Sequence, residues 1–311
     1  MKKLRLVTDT NLTLEEGCNK YLDNCRARNL REGTINHYKQ SYTQFYKYFD
    51  KDMKVCNIDE KIYQKYVVYL RETLTNDVSI NSYLRDFITT MHFLMREGYL
   101  PEFKMQAIKV DRAGVETYTE SELIELLRKP NVKKCSFTEY QCWVMTNFLF
   151  CTAVRQRSLR YLKVKDIDFD NNVVYLTVTK NRKSLIVPFN RTMGSILQEF
   201  LKYRQHTSDE DFLFCNVFGK QLTKSTSYHM LYEYNKRRGV ETTGIHRYRH
   251  TFAKQWILNG GNVVSLSKIL GHSSLEITQN YVNLLVSEVS KEVETINLLD
   301  KFSTQTRIKL R

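Results

Sequence analysis

Between Gly244 and Asn283 the chain reads G-I-H-R-Y-R-H-T-F-A, then, after a Gly-Gly break and a second apolar run, L-G-H-S-S-L-E-I-T-Q-N-Y-V-N. This stretch leaves room for little besides three short helices. His246 and Arg249 stand i and i+3 on one face of a helix expected to run to Leu258 and to end at Gly260-Gly261. Val263 to Leu270 forms the next helix, which Gly271 stops. His272 is thereby placed at a helix exit, and Ser274 caps a third helix that carries Tyr281.

These residue types have pointed chemistry. Arginine is a permanent cation whose planar fork matches phosphate oxygens. Histidine donates hydrogen bonds and exchanges protons near neutral pH. A tyrosine hydroxyl becomes a covalent nucleophile when neighbours help to remove its proton. Singly, such a His or Tyr is more often structural; together they point to a site that cuts a phosphodiester through a phosphotyrosine. H-x-x-R-H, L-G-H-S-S and a tyrosine nine residues on resemble the tyrosine recombinases, the phage-integrase-type site-specific recombinases. The resemblance covers roughly residues 12 to 300 and is closest over the last 70.

The resemblance implies two further catalytic cations. The segment T-A-V-R-Q-R-S-L-R after an apolar helix matches the family's first catalytic arginine at Arg155. The residues alone also allow Arg155 to cap that helix. The family has Gly two positions before this arginine and Glu three after it; here these are Ala153 and Ser158. Val173–Val178 and Ser184–Pro188 read as paired strands, with turn residues at 168–172 before them and a basic tip, Lys180-Asn-Arg-Lys183, between them. The family's catalytic lysine on such a hairpin falls at Lys180, with Lys183 as its rival, and the flanking Thr179 and Asn181 replace glycines.

As implied by the resemblance, Tyr281 attacks the scissile phosphate to give a 3′-phosphotyrosine and a free 5′-hydroxyl. Arg155 and Arg249 hold the non-bridging oxygens, and Lys180 protonates the leaving 5′-oxygen. His246 assists proton transfer from Tyr281, and His272 hydrogen-bonds the phosphate. The 5′-hydroxyl of a partner strand then attacks the phosphotyrosine. The phosphodiester energy is kept in the covalent link, so no ATP is needed; no metal and no cofactor are expected, and no carboxylate cluster for Mg²⁺ is visible.

Charge agrees with a polyanionic partner. The net charge is +14, and it is uneven: residues 1–116 hold 19 Lys and Arg against 16 Asp and Glu, the remainder 29 against 18. Seven cysteines without a C-x-x-C pair argue against a disulfide framework or a zinc site. No membrane-length apolar run or signal-peptide pattern is seen, and a cytoplasmic, nucleoid-associated protein is expected.

The first half reads as four amphipathic helices. Thr13-Leu-Glu-Glu16 is a capping box for the first, whose stripe is Cys18, Tyr21, Leu22 and Cys25. Thr34 caps the second, with Ile35, Tyr38, Tyr42, Phe45, Tyr46 and Phe49. Asp59 starts the third, and Ser79 caps the fourth, which Gly98 stops. Such helices form a small bundle whose aromatic residues suit a core better than base stacking. In the second half, Thr119-Glu-Ser-Glu122 is another capping box, a buried helix covers Phe137 to about Cys151, and further helices span Met193–Arg204 and Thr226–Arg238.

The fold class expected is mainly α with a small antiparallel β-sheet. The resemblance implies an N-terminal helical core-binding (SAM-like) DNA-clamp domain at 1–103, a basic linker at 104–116 and a mixed α/β catalytic domain at 117–285. It also implies a tail at 286–311, whose apolar stripe from Val286 to Ile296 docks into a neighbouring subunit or packs on its own domain. Candidate DNA contacts are Lys39, Lys47, Arg85, Lys104, Lys109, Arg112, Arg157, Lys183, Lys236, Arg237 and Arg238; each is equally readable as a solvated charge. For the last three, complementing a helix dipole is the rival.

The partners implied are double-stranded DNA with inverted-repeat core sites, a synaptic tetramer of this chain, and an accessory directionality protein. A mobile-element integrase or transposase is the expected role. The alternatives are a Xer-type dimer resolvase, a type IB topoisomerase and a catalytically silent DNA-binding protein.

Overall fold

The computed structural model describes residues 11–110, 116–179, 183–241 and 244–283. The chain divides into two units, Met1–Ala113 and Gly114–Arg311.

In the first unit, Thr13 caps α1 (Leu14–Ala27) with the reciprocal Thr13–Glu16 capping box. The apolar stripe it presents, Leu14, Cys18, Tyr21, Leu22 and Cys25, is buried. The second helix, α2 (Glu32–Phe45), begins ahead of the expected Thr34. Asn29 at φ +52° and the Leu30 amide on the Cys25 carbonyl (2.9 Å) have already turned the chain, so Arg31 is the cap and Thr34 lies in the first turn. The segment from Tyr46 to Phe49 leaves the helix in tight turns, yet Phe49 remains in the core. Asp59 caps α3 (Glu60–Thr73) as expected.

The start of α4 (Asp77–Arg96) also precedes the expected Ser79. Asn76 accepts the Ser79 amide at 3.1 Å and so caps the helix three residues earlier. Between these helices Phe45, Tyr66 and Phe87 are fully buried, with Phe45 edge-on to Phe87 at 5.3 Å. The aromatic residues of this unit therefore build its core. From Tyr99 to Val110 the chain forms no helix or strand, but Met105 is buried and the Tyr63 hydroxyl donates to the Gln106 carbonyl at 2.8 Å. The first part of the basic 104–116 stretch is thus held by this unit.

The second unit is helical around a small sheet. Its helices are α5 (Glu120–Leu127), α6 (Phe137–Thr152), α7 (Gln156–Tyr161), α8 (Arg191–Tyr203), α9 (Lys224–Arg237), α10 (Ile245–Leu258), α11 (Val263–Leu270) and α12 (Leu275–Asn283). Thr119 and Ser136 cap α5 and α6 through their side chains. Helix α6 is buried nearly all round, as a central helix must be, and α8, α9 and α10 pack on it. Helix α9 begins two residues before the expected Thr226, because Thr223 caps it: the Thr223 hydroxyl accepts the Thr226 amide at 3.0 Å.

The sheet is antiparallel, in the order β1 (Ile167–Asp168), β2 (Val173–Leu176), β3 (Leu185–Pro188), with Val174 opposite both Ile167 and Val187. Two residues are too few to show an alternating pattern, and β1 was not anticipated. The expected strand to Val178 stops at Leu176. Phe148, Phe200 and Phe214 close the core beneath. Among the described residues no helix is long and apolar enough to cross a membrane.

Gly271 ends α11 in the left-handed region at φ +58°, and a Cβ there would stand 3.0 Å from a Leu185 methyl on β3. Both features favour glycine. Gly271→Ala is expected to lower stability by about 1–2 kcal/mol, seen as a fall of roughly 2–8 °C in Tm.

Candidate active site

Arg249 is the hub of the site. It points inward from α10, is 5% exposed, and bridges two backbone carbonyls. One terminal nitrogen donates to Ala153 at 2.8 Å and the other to Leu270. Ala153 is the residue after α6, and Leu270 is the last of α11. Each carbonyl lies at the negative end of a helix, where a cation is favoured and where no intrahelical donor remains. Two residues beyond these anchors stand Arg155 and His272.

Ala153 occupies the left-handed region at φ +52°, ψ +25° and is fully buried. This is the turn for which the resemblance implied glycine. The strain costs about 1–2 kcal/mol. The alanine offsets it through a buried methyl, worth about 0.8 kcal/mol, and through a less flexible unfolded chain, worth about 0.4–1 kcal/mol. Ser158, where the resemblance implied glutamate, is buried and donates to the Val178 carbonyl at 2.9 Å. It ties α7 to the strand end that leads to Lys180.

Tyr281 is 7% exposed and packs with Ala153, Ala253, Leu266 and Leu270. Its hydroxyl meets Nδ1 of His250 at 2.7 Å. Burial raises its pKa, and the charges of Arg249 and Arg155 pull it part of the way back. Arg155, half-buried, has its own pKa lowered by burial, against the favourable effect of Tyr281. Burial and the neighbouring Arg155 bring Arg249 down to about 10, still ionised at neutral pH.

The Thr278 hydroxyl, fully buried, lies 2.8 Å from Nδ1 of His272. Burial, then Arg249, Arg155 and His250, lower His272 to about 4, so it is neutral at pH 7. His250 is likewise lowered by burial, His246 and Arg249. Among the described residues neither Arg155 nor Arg249 meets a carboxylate, and no cluster of three His, Cys, Asp or Glu side chains could hold a metal ion. The arrangement sets two guanidiniums and two histidines around a largely buried phenol.

The structure thus gathers Arg155, Arg249, His272 and Tyr281. His246, expected beside Tyr281, is exposed in the first turn of α10, and His250, one turn further on, takes the hydroxyl. The motif H-x-x-R-H carried His250 in plain view, but only the placement of α12 reveals which histidine faces the tyrosine. Lys180 and Asn181 lie outside the described residues, as do Arg112 and the tail at 286–311. Lys183 is exposed, and the Thr179 hydroxyl donates to its carbonyl at 2.6 Å.

Of the candidate DNA contacts, Lys39, Lys47, Arg85, Lys104, Lys109, Arg157, Lys236 and Arg237 are exposed. Arg157 lies over the Tyr161 ring at 5.9 Å. Arg238 differs: its guanidinium donates to the Glu125 and Arg128 carbonyls, both at 2.7 Å, and stacks on Tyr234. It caps the end of α5, which is the helix-dipole alternative realised on a neighbouring helix.

Comparison with known proteins identifies the family. Residues 116–288 match the phage integrase family, and residues 13–110 match the phage integrase SAM-like domain. The chain belongs to the phage integrase family: it is a tyrosine recombinase, an enzyme that breaks and rejoins DNA. It is 27% identical to the tyrosine recombinase XerC of Leptospira interrogans serovar copenhageni, over 90% of this chain and 92% of that protein. It is 24% identical to the tyrosine recombinase XerD of Staphylococcus epidermidis, over 85% and 92%. Among solved structures, the Tn1549 transposon integrase in complex with transposon right-end DNA superposes with a TM-score of 0.74 at 18% identity, covering 92% of this chain and all of that one.

Arg249→Lys keeps the charge but cannot span both carbonyls. It is expected to destabilise the protein by about 2–3 kcal/mol in chemical denaturation, because a buried acceptor loses its donor. Ala153→Gly in the same measurement is expected to be neutral to within about 1 kcal/mol, since its gains and losses cancel.

Proposed function

We propose that this chain is a site-specific recombinase of a mobile genetic element, acting through a 3′-phosphotyrosine at Tyr281. The observation that carries the chemistry is the Tyr281 hydroxyl, buried against a histidine and within the field of two guanidiniums that, among the described residues, meet no carboxylate. Arg155 and Arg249 neutralise the non-bridging oxygens as charge redistributes at phosphorus. Two of the five N–H donors of Arg249 serve the carbonyls of Ala153 and Leu270, which leaves donors for the phosphate. His272, held by the contact of its Nδ1 with the Thr278 hydroxyl at 2.8 Å, hydrogen-bonds a phosphate oxygen through Nε2. Lys180 is the general acid for the 5′-oxygen.

The partner is duplex DNA with inverted-repeat core sites, which the basic excess beyond residue 116 favours. Four copies exchange strands in pairs, the tail from 286 joining neighbours, with an accessory protein setting direction. Domain limits of 1–103, 104–116, 117–285 and 286–311 go with this reading. The transposon integrase among the structural neighbours, together with Ala153 and Ser158 in place of the family's Gly and Glu, supports the mobile-element role. The similarity to XerC across 90% of the chain favours a second reading, a dimer resolvase.

A nicked half-site duplex from the inverted repeats flanking the gene, incubated without metal or ATP, is expected to yield DNA covalently attached at Tyr281 by mass spectrometry. Tyr281→Phe is expected to abolish the adduct while retaining site binding. A partner duplex should then be joined, which relaxation of supercoils alone would not do. Clear binding with no adduct would leave a silent DNA-binding protein. Recombination only at a chromosomal dimer-resolution site, and not at element ends, would leave the resolvase.

A further inference from the structure

We infer that His250, not His246, is the proton acceptor for Tyr281 in the cleavage step. The inference rests on Tyr281 being the nucleophile, and it assigns the group that makes it one. Nδ1 of His250 stands 2.7 Å from the phenolic oxygen, with the rings tilted at 45° and centroids 5.7 Å apart. That distance is a direct hydrogen bond, the contact a general base must make with the proton it takes. His246 precedes His250 by four residues, about 6 Å along the helix axis, and is exposed.

Three features suit His250 to the task. It is half-buried on α10 directly after Arg249, the residue with the most extensive backbone anchoring in the site. Burial and the charges of His246 and Arg249 keep it below its ordinary pKa, so that its neutral, accepting form prevails at pH 7. Tyr281 has the converse need: burial keeps its proton on, despite the two arginines, and a partner must remove it.

The step balances. With its own proton on Nε2, His250 accepts the phenolic proton at Nδ1 as the Tyr281 oxygen bonds to phosphorus and the bond to the 5′-oxygen breaks. The departing oxygen takes its proton from the general acid. On rejoining, the imidazolium returns its proton to the tyrosine oxygen as that becomes the leaving group.

Single-turnover adduct formation on the nicked half-site duplex tests this. Asparagine can hold the hydroxyl through a hydrogen bond from the position of Nδ1 but cannot take a proton. His250→Asn and His250→Ala are both expected to slow adduct formation by about 10²–10³-fold, with duplex binding and circular dichroism unchanged. The loss should persist on a duplex with sulfur in place of the scissile 5′-oxygen, because a thiolate leaves without an acid. A His250→Asn rate within about threefold of the native protein would overturn the inference and make His250 a positioning residue. So would recovery on the sulfur substrate, which would place His250 on the leaving-group side. The outcome is separable from failure of the nucleophile itself: an adduct surviving Tyr281→Phe, or none from the native protein, would remove Tyr281 first and this assignment with it.

Discussion

The buried guanidinium of Arg249 joins the parts of the site that the chain delivers from distant places. It takes the last carbonyls of two helices, one before Arg155 and one before His272, and holds both from a third helix. A charged donor between two helix ends satisfies acceptors that would otherwise be orphaned, and the helix ends in turn stabilise the charge. The cost of burying an arginine is therefore met by backbone groups rather than by a carboxylate. That choice has a functional consequence. A carboxylate would neutralise the cation, whereas two carbonyls leave its charge available to a ligand.

The clamp works only if α10 itself is fixed. Tyr248, one residue before Arg249, is almost wholly buried, and its hydroxyl lies 2.9 Å from Asn235 on α9. Asn235 also reaches the Tyr118 hydroxyl at 3.0 Å, and the Tyr118 amide donates to Thr251 on α10 at 2.9 Å. Buried polar groups of this kind specify one arrangement because each alternative leaves a donor or acceptor unpaired. Tyr248 thus secures the helix from one side while Arg249, its neighbour, and His250 serve the site from the other. The left-handed turns at Ala153 and Gly271 complete the geometry, each redirecting the chain right at a helix end.

What was legible in the sequence follows from what is local. Capping boxes at Thr13 and Thr119, the aspartate at Asp59 and the glycine stop at Gly271 act within a few residues, and the helices they bound were readable. Starts differ where an earlier polar residue caps, as Asn76 ahead of the expected Ser79 and Thr223 ahead of the expected start at Thr226, because the cap depends on how the preceding chain approaches. Strand β1 is two residues long and exists only through its partner. The types and spacing of Arg155, Arg249, His272 and Tyr281 were plain. The roles of His246 and His250 were not, since both flank Arg249 on one helix and only the packing of α12 against α10 decides between them. Arg238 shows the same limit: three adjacent cations look alike in sequence, and the end of α5 selects one.

The electrostatics of the recess carry the argument one step further. Arg249 is lowered to about 10 and His272 to about 4, and Arg155 and His250 are lowered as well. Burial leads in every case, and mutual repulsion adds to it for Arg249, His272 and His250. The groups are pre-assembled in a state that disfavours their own positive charge. In the proposed reaction a phosphodiester entering among them removes that penalty by supplying the missing negative charge, and a site already held in place spends little on rearrangement. The negative charge that grows on the phosphate in the transition state relieves more repulsion than the ground-state monoanion does. In that proposed reaction the same preorganisation favours the transition state over the bound substrate, which is the condition for catalysis.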